Sequence, residues 1–95
     1  MNEGVTAIGA LTFRRRCTVS GTIKSVTTHD RPWLHTDAAL DDGTGTVILR
    51  FSGRQSIPGL QPGRNVVATG TPARVGDAAV LLNPRYSFLP GEGCG

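Results

Sequence analysis

Apolar residues recur at every second position in several stretches of this 95-residue chain. None shows the sustained i, i+3, i+4, i+7 spacing of an amphipathic helix. Period-two alternation predicts strands, and the Gly, Pro and Asp-Gly clusters predict where they stop. The first strand covers residues 15–27, with Cys17, Val19, Gly21 and Ile23 on one face and Thr18, Ser20, Thr22 and Lys24 on the other. A glycine inside so long a strand, Gly21, predicts a bulge or sharp bend that lets one strand serve both halves of a barrel. The polar stretch 27–32, stopped by Pro32, predicts a loop, and residues 33–40 a second strand. Asp41-Asp42-Gly43-Thr44-Gly45 predicts a hairpin turn, because its glycine takes positive φ at little cost. Residues 46–52 form the third strand, with Val47, Leu49 and Phe51 facing one way and Thr46, Ile48 and Arg50 the other. The connector 53–63 has room for one helical turn at most. A fourth strand spans 64–74, Gly76-Asp77 turns the chain, and a fifth strand spans 78–83 until Pro84 ends it.

These elements predict an all-β domain, a five-stranded closed or partly open Greek-key barrel, since closure removes aggregation-prone edges. Residues 1–13 are an N-terminal extension packing against the barrel, 14–89 the barrel itself, and 90–95 a flexible tail with nothing to bury. Periodicity alone does not separate an OB barrel from an SH3-like one.

Composition narrows the class. Thirteen Gly and six Pro argue against a helical bundle, and the ordered Val, Ile and Leu alternation argues against disorder. No apolar run approaches the ~20 residues that span a bilayer. The N-terminus lacks the basic stretch of a secretory signal, and two cysteines make neither a disulfide framework nor a zinc site. The expected location is therefore cytoplasmic. Net charge is +3, and nine of the ten cations are Arg, whose forked guanidinium suits phosphate; such usage also arises from genomic bias.

Four short motifs carry a resemblance over residues 16–86. They are Val19-Ser20-Gly21-Thr22-Ile23, Asp42-Gly43-Thr44-Gly45, Leu60-Gln61-Pro62-Gly63 and Asn83-Pro84-Arg85-Tyr86. In this order and spacing the chain resembles the OB-fold nucleic-acid-binding family. It looks closest to the wedge domain of RecG-type helicases and to OB domains of the tRNA-anticodon type. It is also similar to small free-standing actinobacterial OB proteins. The resemblance implies single-stranded DNA or RNA as ligand, bound on the outer face of strands two and three. No Walker-type phosphate loop or other motor sequence accompanies it, so helicase activity is not expected.

On that face the alternation places Trp33, His35 and Asp37 beside Thr46, Ile48 and Arg50. Loop one-two adds His29 and Arg31, and Arg74 borders loop four-five. Trp33 is either a stacking platform for bases or an inward plug at one barrel end. Arg14, Arg15 and Arg16 either contact phosphate or form a solvated entry to the first strand. His29, His35, Asp30, Asp37 and Cys17 show no metal-ligand or nucleophile motif, so neither metal, cofactor nor enzymatic activity is expected. Cys17 reads as a small buried hydrophobe and Asp41-Asp42 as turn chemistry alone. The expectation is thus a monomer that binds single-stranded nucleic acid with weak sequence preference. A protein-interaction module using the same face, or the side bearing Val67 and Val80, is the alternative, and a small-ligand or oligosaccharide binder a third.

Overall fold

A computed structural model describes residues 5–53 and 57–89, and they form an all-β structure. A 3-10 turn at Ile8–Ala10 precedes seven strands. These are β1 (Cys17–His29), β2 (His35–Asp41), β3 (Thr46–Ser52), β4 (Asn65–Gly70), β5 (Pro72–Val75), β6 (Ala78–Leu82) and β7 (Arg85–Phe88). They make one sheet in the order β5-β6-β3-β2-β1-β4-β7, with every neighbouring pair antiparallel except β3 and β6. No ladder joins β5 to β7 among the described residues, so strand pairing leaves the sheet open. No helix among them is long and apolar enough to cross a membrane.

The third strand falls where alternation predicts it. The first continues to His29, which is therefore a strand residue and not part of loop one-two. The second begins at His35 and leaves Trp33 in the loop. The predicted fourth strand is two segments separated by Thr71, because Pro72 has no N–H to continue a ladder and instead opens β5. The unforeseen strand is β7, which returns along β4 and brings Tyr86 edge-on to Phe51 at 5.3 Å and to Phe88 at 5.7 Å. The 90–95 tail, with Cys94, lies outside the described residues.

β1 is shared between two partners. Its first part, Cys17 to Thr22, pairs with β4, and from Thr22 to His29 it pairs with β2. The ladder to β2 slips between Ile23 and Ser25, so the bulge is at Lys24 and not at Gly21. An extra residue exchanges the faces of everything after it. Before it, Val19 and Ile23 point into the core; after it, Val26 faces inward opposite Ala38, and Thr27 and His29 turn outward. Gly21 has a different task. A Cβ there would lie 2.5 Å from the Asp41 carbonyl oxygen, so the glycine is what admits the end of β2 across β1.

The core is built from the inward residues of five strands: Val19, Ile23, Ala38, Leu40, Val47, Leu49, Phe51, Val66, Ala68 and Leu81. Ile8, Ile57 and Leu60 seal it from flanking segments. Ile8 is held there by Asp42, whose Oδ2 accepts the Ile8 N–H at 2.9 Å, while Oδ1 accepts from Thr44 N and Oγ1. Asp42 therefore does more than shape its own turn: it fastens the N-terminal segment to the β2–β3 hairpin. Burial acts to raise its pKa, but these hydrogen bonds, with the Gly45 backbone, outweigh that and hold the carboxyl below the ordinary aspartate value.

Two outcomes follow for stability. Gly21→Ala should lower unfolding free energy by about 1–3 kcal/mol in urea titration, because the methyl group meets backbone that cannot rotate away. Asp42→Ala should cost about 1–2 kcal/mol near neutrality. Because its folded pKa is depressed, this contribution is complete above about pH 5 and fades as pH falls through the folded value. Wild type and variant stability curves should therefore converge in acid.

Candidate functional site

The outer face of β2 and β3, with the last residues of β1, gathers the polar chemistry. His29 and His35 are directly opposed across β1 and β2, as the final pair before the connecting loop. Asp37 lies two residues after His35 on the same face and pairs in register with Arg50 of β3. Their rings and charges meet accordingly. The two imidazoles stack at 4.8 Å with planes 19° apart, and the Trp33 indole leans on His35 at 5.3 Å. Covered from both sides, His35 is only 6% exposed, whereas Trp33 is 51% exposed. The His35 Nδ1 donates to the Trp33 carbonyl oxygen at 3.0 Å; since a carbonyl only accepts, the proton of the neutral ring sits on Nδ1.

Arg50 closes the other side of Asp37. Its Nε reaches Oδ1 at 2.9 Å and its Nη2 reaches Oδ2 at 3.1 Å, a forked pair on a half-buried surface. The hydrogen bonds that Arg50 donates to the Asp37 carboxylate raise its pKa above the ordinary arginine value. Arg50 does face outward, yet it meets a carboxylate there and is not a free cation awaiting phosphate.

The remaining candidates are dispersed. Arg31 is exposed in the loop beside Trp33, and Ile48 is half-buried on β3. Arg74 belongs to β5, beyond β6 and β3 from β2, and its guanidinium lies over the Phe13 ring at 5.0 Å. Arg14, Arg15 and Arg16 are exposed where the chain enters β1, with the Arg14 N–H donating to the Pro72 carbonyl at 2.9 Å. Trp33, His35, Arg50 and Arg31 are thus gathered at one place; Arg74 and the Arg triplet lie toward β5. Trp33 is exposed at the surface and is no inward plug. His35 is correctly placed on the outer face but buried under its neighbours. On the rival side, Val80 is buried at 4% exposure and Val67 is half-buried.

One association escapes a motif scan. The ligand atoms of His29, His35 and Asp37 lie within 4.8 Å of one another, although no short spacing connects His29 to the others. The signal that finds it is the hairpin register, readable once the bulge is placed. Asp30 and Cys17 take no part, and burial raises the Cys17 thiol pKa, which disfavours the reactive thiolate. No protein-family model and no curated protein matches the chain.

The Asp37–Arg50 pair should be measurable by a double-mutant cycle. Asp37→Ala and Arg50→Ala should couple by about 1 kcal/mol in thermal or urea unfolding, diminishing as salt is raised.

Proposed function

We propose that this chain is an OB-type barrel that binds single-stranded DNA or RNA, as a monomer and without chemistry on the ligand. Two features support the barrel. β4 and β5 read as one strand bent at Thr71, so the backbone itself bridges the ladder to β1 and the ladder to β6. The third and the last core strand, β3 and β6, pair in parallel, so five core strands are joined edge to edge, as a partly open five-stranded barrel needs.

The observation that carries the binding reading is the exposed Trp33 indole. It is set at the mouth of β2, supported from behind by the His35 ring, with His29 stacked beyond it and exposed Arg31 two residues earlier in the same loop. A base laid on the free indole face gains about 1–3 kcal/mol without regard to sequence. Arg31 supplies a phosphate partner nearby, whereas the Arg14, Arg15 and Arg16 triplet lies at the far end of β1, toward β5, away from the indole. Arg50 acts through Asp37, as part of the platform's framework.

A second reading has its own observation. Leu82 and Val75, 60% and 49% exposed, lie on β6 and the terminal strand β5, an apolar edge suited to a partner protein.

Titration of oligo-dT and oligo-U while following the single tryptophan separates the two. Binding should quench Trp33 at low salt, and Trp33→Ala should weaken it about tenfold or more, read by anisotropy of a labelled strand. With two or three phosphate contacts, log affinity should fall against log salt with a slope of about −2, and Arg31→Ala should make that slope shallower by about 0.7. Arg50→Ala should leave the slope unchanged. Absence of any signal at low salt would overturn the reading and leave the apolar edge as the candidate interface.

A further inference from the structure

We propose that His29, His35 and Asp37 form a binding site for a divalent transition-metal ion of the zinc class. The proposal needs no nucleic acid and goes beyond that reading. Two imidazole nitrogens with one carboxylate oxygen are the donor set that zinc and its first-row neighbours favour, and one that magnesium and calcium do not.

Geometry supports it at three levels. First, the donors converge without bonding one another. The Nε2 atoms of His29 and His35 each stand 3.9 Å from Asp37 Oδ2, too far for a hydrogen bond. Around a tetrahedral ion with bonds of 2.0–2.1 Å, donor atoms are separated by about 3.3 Å, so the two His–Asp pairs need to draw in by about half an ångström and the widest pair, at most 4.8 Å apart, by up to about 1.5 Å. His29, whose side chain is 44% exposed at the end of β1, has the freedom to make that movement.

Second, the outer partners that orient metal ligands are already present. The His35 Nδ1–H is spent on the Trp33 carbonyl, which fixes the ring and leaves the Nε2 lone pair free on the side of Asp37. Arg50 clasps the Asp37 carboxylate with two hydrogen bonds and sets its plane. Each carboxylate oxygen has two lone-pair sites, so Oδ2 can take an ion while keeping its bond to Nη2. The guanidinium charge opposes a cation, which places the expected affinity below that of a structural four-ligand zinc site.

Third, the backbone positions all three donors. His29 and His35 are an opposed pair in the ladder, and Asp37 follows His35 by one full strand period. Three protein ligands leave at least one coordination position open, on the side facing solvent.

The test uses the untagged full chain, cobalt(II) and zinc(II) chloride, and calorimetry beside Trp33 emission. Because the indole lies against His35, paramagnetic cobalt bound at this site should quench Trp33 in a saturable one-to-one titration. Zinc should displace it and restore the emission, and magnesium should do neither. His29→Ala, an exposed change that leaves the fold intact, should weaken cobalt binding at least about tenfold, as should Asp37→Asn. A Cys17→Ser/Cys94→Ser variant should bind as wild type does. No saturable binding, equal binding in His29→Ala and Asp37→Asn, loss of binding in the cysteine variant, or equal competition by magnesium would each overturn the proposal.

Discussion

The surplus residue at Lys24 is the constraint on which the arrangement of β1 rests. A strand that pairs with β4 on one side and then with β2 on the other must turn as it changes partner, and the bulge lets it do so. The same slip changes which side chains face the core. Without it, His29 would share the inward parity of Val19 and Ile23, among aliphatic side chains and on the opposite face from His35 and Asp37. With it, an apolar interior and a polar outer cluster are served by one continuous segment. Gly21 acts a little earlier, by removing the side chain that would keep β2 from crossing.

Strand existence was legible wherever alternation ran long enough, and Val47, Leu49 and Phe51 in β3 are the clearest case. Legibility failed where a single residue mattered more than the pattern. Gly21 carries the visible signal for a bend, yet the slip sits at Lys24, a position whose identity announces nothing. Pro72 carries the signal for the break between β4 and β5, because its missing N–H must interrupt a ladder, yet the alternation on either side read as one strand through it. β7 was hidden by its length: four residues with two apolar members, Tyr86 and Phe88, give no period to measure.

The outer site was legible as a list and illegible as an arrangement. Alternation placed Trp33, His35, Asp37 and Arg50 in one region, but facing says nothing about which side chains embrace. Cross-strand register decides that: Arg50 stands opposite Asp37, and His35 opposite His29. A charge counted as available for a ligand is thereby consumed internally, and a histidine counted as exposed is covered. The surface keeps its aromatic character and loses part of the positive field that a simple tally of arginines suggests.

The two ladders of β1 also differ in how far apart their partners lie along the chain. β1, β2 and β3 follow one another through short connections, whereas Cys17 must wait for Gly70. On the ribosome, the meander therefore has all its residues well before β4 emerges. During that interval the leading half of β1 is a bare template edge, and the late arrival of β4 is what shields it from neighbouring nascent chains.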